Sequence, residues 1–316
     1  MNPQDRRSIL TIALMAAFAD GLKDDRERET VRRVAESLGD TAGLDLPALY
    51  AQVLVSKPDL AQVAAALQLA EMRQLAYEMA VGVCEADGSR GPAESEFLER
   101  LSAALGLPAS VTGGLHRSVD ELSDAASATG PPAAVSGTVL GKEGMPQPEM
   151  DELILKASIT NAALELLPES IASMAIIPLQ LRLVYRIGRS YGYEMDMSNA
   201  RDFLATAGVG LTGQYLEQFG RKLLGGLLGG IGGGIGRTIG RQAASSAMSF
   251  ATTYAIGRVA QRYYAAGRTM DAATLKQGFL EMLEEAKALA PRYQGRIEQL
   301  SGTIDTRSLA SLIKSA

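Results

Sequence analysis

The sequence predicts an all-α protein, and three observations carry that expectation. Apolar residues recur at helical spacing: Ile9, Ile12, Ala13 and Ala16 share one face, as do Val31, Val34, Ala35 and Leu38. Long runs such as LAQVAAALQLAEMRQLAYEMAVGVC are built from strong helix formers. No segment alternates apolar and polar residues with the β-branched enrichment of a strand, so none is expected.

The opening MNPQDRRSILTIALMAAFADG sets an arginine pair before an apolar run, as a signal peptide does. The run continues into DGLKDDRERET without a small-residue cleavage site, and is therefore expected to be the first helix of a folded domain. The chain has 316 residues, 47% of them apolar and 21% charged, enough for about two domains with real cores. One cysteine, Cys84, excludes an internal disulfide and fits a reducing compartment. One histidine, His116, argues against His-based zinc sites and Ser-His-Asp chemistry. Both residues read as inert.

The first hundred residues repeat at an offset of 67. ADGLKDDRERETVRRVAESLG (residues 19–39) aligns with ADGSRGPAESEFLERLSAALG (residues 86–106), matching Asp20 with Asp87, Gly21 with Gly88 and Glu27 with Glu94. Each copy describes a helix that ends, a turn at Asp-Gly, and an acid-rich start to the next helix. Glycine supplies the positive φ of the turn, and the acids complement the helix dipole. The Asp-to-Glu spacing is also that of the second half of an EF-hand loop. The first half is missing, since Ala16 and Phe18 stand in the leading ligand positions of one copy and Val83 and Glu85 in those of the other. A true EF-hand is excluded. The carboxylates Asp20, Asp24, Glu27, Glu85, Asp87 and Glu94 remain as capping acids or as ligands to a divalent cation, Ca²⁺ or Mg²⁺.

At these residues the segment resembles the TerB-like family of tellurite-resistance and stress proteins. The resemblance spans about residues 5–107 and implies an all-helical binding or sensing module with an acidic, cation-associated surface.

Residues 108–150 contain SDAASATGPPAAVSGTVLGKEGMPQP and are expected to be a flexible linker. Beyond it the charge changes sign. Residues 1–107 carry 17 acids and 11 bases, whereas residues 151–316 carry 14 and 18, which points to different partners for the two halves. No acid occurs between Glu217 and Asp271.

That acid-free span holds LLGGLLGGIGGGIGRTIG, Leu223 to Gly240. It is not a phosphate loop: Ile231 stands where a Walker glycine is required and Arg237 where the lysine is required. The single dinucleotide-type match, GVGLTG at 208–213, follows a helical segment and lacks the acid some twenty residues on. No nucleotide is expected. The glycines instead recur every fourth residue (225, 229, 233; 232, 236, 240), giving a bare helix face on which another surface can lie closely. The uncharged windows 223–236 and 242–257 are shorter than the roughly 20 residues a membrane span needs. The expectation is a glycine-zipper hairpin over about 203–268 that embeds partly in a bilayer or packs in a bundle.

The flanking runs IIPLQLRLVYRIGRSYGYEMD (176–196) and SFATTYAIGRVAQRYYAAGRTMD (249–271) resemble the YcjF-like domain of unknown function. That resemblance implies membrane association and a separate stress GTPase as partner. Leu179, Leu183 and Ile187 read as core. Arg182, Arg186 and Arg189 form either a solvated face or an anionic-lipid site. Tyr185, Tyr191, Tyr193, Tyr263 and Tyr264 are interfacial anchors or half-buried residues. Helices after residue 271 are expected to break at Pro291.

These readings converge on a non-enzymatic, stress-associated protein. A divalent-cation-responsive acidic domain is joined to a domain that associates with the inner membrane or anionic lipid, or self-assembles. The expected location is cytoplasmic, peripheral to or partly embedded in the inner membrane. The alternative is a soluble homo-oligomeric scaffold with the zipper buried between subunits. A metal-dependent enzyme lacks a readable nucleophile or base, and sparse aromatics argue against nucleic acid.

Overall fold

The computed structural model describes residues 2–21, 40–41, 44–86, 90–127, 145–167, 170–209, 235–305 and 309–315. They are helical almost throughout, as expected. One exception is a two-residue antiparallel ladder, β1 (Asp40–Thr41) with β2 (Leu44–Asp45), pairing Asp40 with Asp45 and Thr41 with Leu44. It is a turn stitched by a minimal ladder and leaves the class all-α.

The described residues form two compact units. The first gathers those within Met1–Asp120, Pro168–Met174 and Gly210–Ile239; the second gathers those within Glu121–Leu167, Ala175–Val209 and Gly240–Ala316.

In the first unit, α1 (Pro3–Ala17) starts at an Asn2 cap whose side chain accepts from the Asp5 N–H at 2.7 Å, with Pro3 at the first helical position. Its expected face, Ile9, Ile12, Ala13 and Ala16, is fully buried. Then come α2 (Leu46–Ser56) and α3 (Leu60–Ala65), capped by Asp45 and Asp59. α4 (Ala70–Cys84) packs along α1, and the 67-residue offset carries the bounds of α1 directly onto those of α4. The repeat therefore pairs its two copies helix against helix. α5 (Pro92–Leu105) ends at Gly106, whose φ of +63° makes the left-handed cap that glycine adopts without strain.

α6 (Ala109–Ser127), whose residues up to Asp120 belong to the first unit and the rest to the second, corrects the linker expectation in its first half. Val119, Leu122 and Ala125 recur at three-residue steps and are buried. This is a helical stripe too sparse to stand out beside Gly113 and Gly114, and burial compensates its weak propensity. At the far end, residues 147–150 already belong to α7. Residues 128–144 lie outside the described set. α8 (Ser170–Met174) also belongs to the first unit, as do Ile235–Ile239 at the opening of the long helix that otherwise lies in the second.

The second unit contains α7 (Gln147–Glu165), α9 (Ile176–Ser190), α10 (Met197–Thr206), α11 (Ile235–Ala265) and α12 (Ala272–Leu289). A 3₁₀ turn (Ala290–Tyr293) with Pro291 in its first turn leads into α13 (Gln294–Ser301), and α14 (Leu309–Ser315) follows. The break at Pro291 is where a missing N–H and fixed φ put it. Leu179, Leu183 and Ile187 are buried as expected. Ile159, Ala162 and Ala163 of α7, Phe250 of α11, Ala290 and Ile297 form one apolar cluster. Tyr264 is buried against Tyr193, Phe203 and Tyr263, with ring centroids 5.1–6.0 Å apart.

Of the zipper stretch, Ile235–Gly240 is helix, the opening of α11; Leu223–Gly234 lie outside the described residues, as does most of the expected hairpin. Among the described residues no helix is long and apolar enough to cross a membrane.

Candidate functional site

Residues 87–89 lie outside the described set, but the helix ends on either side of them carry two of the predicted site residues, Glu85 and Glu94. α4 delivers Glu85 to its C-terminal end, and α5 begins at Pro92 with Gly91 as its cap. Glu94, three residues into α5, accepts from the Gly91 N–H at 2.8 Å, satisfying one of the orphan donors at the helix start. Its side chain is 4% exposed. Glu85 is paired by Arg90, whose guanidinium also reaches Asp120 at 3.4 Å. Glu94 thus caps a helix, and Glu85 is neutralised by an arginine.

Asp20 sits in the turn after α1, directly before Gly21 with φ +61°, so the glycine's role in that turn is as predicted. Asp24, Glu27 and Asp87 lie outside the described residues. Among the described residues, no group of three or more His, Cys, Asp and Glu side chains could hold a metal ion.

Sequence reading overlooked the residues that tie this turn to α6. Tyr77 of α4 and His116 of α6 are hydrogen-bonded, Oη to Nε2, at 2.8 Å, with rings edge-on at 5.9 Å. Burial, and then the Arg90 charge, hold His116 below its ordinary value, so the imidazole is neutral at pH 7. Burial pushes the Tyr77 hydroxyl up. His116 is therefore a packing and hydrogen-bonding residue of the module, and Cys84 is buried. No local pattern marks the pair, because its members are 39 residues apart on different helices.

In the second unit the polar groups concentrate on one seam. Ser246 donates to the Ala162 carbonyl at 3.0 Å, Ser249 to the Asn161 carbonyl at 3.3 Å, and Ser245 to Glu165 at 2.8 Å, so α11 lies against α7 along its small residues. One step further, Asn161 of α7 and Gln180 of α9 both donate to the Thr253 hydroxyl of α11, at 2.9 and 3.1 Å. All three residues are fully buried. At Gly257 a β-carbon would stand 2.8 Å from Cγ2 of Ile154. The second arm of the expected hairpin thus turns its small and polar face into protein. Arg258, expected at the outer end of that arm, is bound to Asp151 and to the Tyr254 hydroxyl.

A family model matches the first module as far as the first half of α6. Residues 1–119 match the family model DUF533. That family is described as a protein of unknown function and falls within the TerB-like group. The match runs past residue 107 to the stretch of α6 that carries His116, in keeping with the Tyr77–His116 contact. No curated protein and no solved structure matches the chain. The YcjF-like resemblance of the second module gains nothing from a match that ends at residue 119.

Proposed function

We propose that this chain is a non-enzymatic, stress-associated helical protein. Its acidic N-terminal module responds to a divalent cation, and its C-terminal module self-assembles by close packing of the glycine-rich helix. The observation that carries the assembly reading is the α7–α11 seam. There Gly257 admits Ile154 at a separation no side chain would allow, and serines bond directly to the neighbouring backbone. α11 thus already packs by backbone approach over one part of its length. Its opening turns carry Gly236 and Gly240 in continuation of the same four-residue period.

Sedimentation velocity on the full-length chain tests this, beside the double variant Gly229→Leu/Gly233→Leu. Concentration-dependent assembly that the variant loses supports the proposal. A wild-type chain that stays monomeric at every concentration overturns it.

For the first module, the TerB-like match and the paired Asp-Gly turns support cation sensing, with Ca²⁺ or Mg²⁺ as the hard cation. Calcium calorimetry on the full chain and on Asp20→Asn/Asp87→Asn decides it: identical heats remove the assignment. A second reading places a YcjF-like second module at an inner-membrane surface beside a separate stress GTPase. What favours it is the acid-free, arginine-bearing span 218–270.

A further inference from the structure

α9 carries three arginines, and Arg186 is a half-buried one whose charge has no match among the described residues. Arg182, Arg186 and Arg189 recur at steps of four and three, which places them on one face of a helix that contains no acid. Their surroundings differ sharply. Arg182 donates to two backbone carbonyls, Lys314 O at 2.6 Å and Ala125 O at 3.4 Å, so its fork is held by the ends of α14 and α6. Arg186, one turn on, is half-buried and has no hydrogen-bond or ion-pair partner among the described residues. Among the described residues, the charge acting on it from nearby is that of Arg182, of like sign.

A half-buried guanidinium beside a second one, with no counter-charge on it among the described residues, is an unfavourable arrangement for a folded chain to retain. Elsewhere in the same unit the rule is kept, for Arg258 is met by Asp151 and Tyr254. An arginine fork offers parallel N–H donors at the spacing of two oxygens of one phosphate, and the fixed Arg182 supplies a second positive charge one turn away. We propose that Arg186, supported by Arg182 and with Arg189 at the rim, binds a phosphate group, carried either by an anionic lipid headgroup or by a soluble phosphate compound. The site is independent of the glycine-zipper assembly, which uses α11.

The test uses the full-length chain and two probes: inorganic phosphate by calorimetry in chloride buffer, and co-sedimentation with phosphatidylglycerol-containing or pure phosphatidylcholine vesicles. Arg186→Met keeps the apolar stem and removes the charge; Arg186→Lys keeps the charge and removes the fork. Wild type is expected to bind phosphate, phosphatidylglycerol vesicles or both, about tenfold or more tightly than Arg186→Met, with Arg186→Lys between them. Vesicle binding without phosphate binding assigns the lipid headgroup. Phosphate binding without vesicle binding assigns a soluble source. Circular dichroism confirms that each variant is folded, and the Gly229→Leu/Gly233→Leu chain should bind as wild type does. If wild type binds neither probe, or Arg186→Met binds both equally well, the burial of Arg186 reflects only its aliphatic stem and the site is refuted.

Discussion

Gly257→Ala sets two opposing effects against each other, and the structure decides which wins. In an exposed helix the change would stabilise by about 1 kcal/mol, because alanine is the better helix former. At position 257, however, the new methyl would stand 2.8 Å from Cγ2 of Ile154, 2.9 Å from Cγ1 and 3.3 Å from Cβ. Ile154 is fully buried, and a β-branched residue in a helix has essentially one rotamer. Relief must therefore come from moving α7 away from α11, where Ser246, Ser249 and Thr253 hold the two together. Overpacking of this kind costs about 1–3 kcal/mol, so the net expectation is a loss of about 1 kcal/mol, and more if the serine bonds lengthen. Urea unfolding followed by far-UV circular dichroism measures it, fitted with a separate transition for each compact unit. Ile154→Ala supplies the control. By itself it should cost about 2–5 kcal/mol, but in that background Gly257→Ala should become neutral or stabilising. A Gly257→Ala chain more stable than wild type, or one whose cost is unchanged by Ile154→Ala, would refute the close approach of the two helices.

Three further outcomes follow from the same coordinates. Thr253→Val strips the shared acceptor from two buried amides and should cost about 2 kcal/mol or more, whereas Thr253→Ser should stay within about 1 kcal/mol of wild type; equal losses would remove the hydroxyl's role. His116 is held below its ordinary value, so the unfolded chain takes up the proton first. Stability of the first module should therefore fall as pH drops below about 6.5 towards the lowered folded value. Urea midpoints across that window should slope for wild type and be flatter for His116→Gln, and parallel slopes would exclude His116 as the source. Glu94→Ala removes the acceptor that meets Gly91 and should cost about 1 kcal/mol by thermal melt, an effect Glu94→Gln should largely spare; a silent Glu94→Ala would show that the cap contributes nothing.

Periodicity made much of the architecture readable. The faces of α1 and α9, the Asp-Gly turn at Gly21, the glycine cap at 106 and the break at Pro291 all follow from local rules, and each is where those rules put it. The candidate cation site was readable only as a list of acids. The capping alternative holds at Glu94, which meets the start of a helix, but spacing could not say that Arg90 would reach Glu85. Ala109–Ser127 reads as linker for a related reason: its apolar stripe is thin, and burial of Val119 and Leu122 stabilises what propensity alone does not.

By itself the sequence determined the helical class, the 67-residue repeat and the helix ends, because backbone hydrogen bonding and side-chain periodicity act over a few residues. Only the tertiary structure decided which polar and charged groups have partners: Tyr77 with His116, Thr253 with Asn161 and Gln180, Arg258 with Asp151, and Arg186 with none among the described residues. Those pairings join residues far apart in the chain. Desolvation and hydrogen bonding depend on distances in space that spacing along the sequence does not encode.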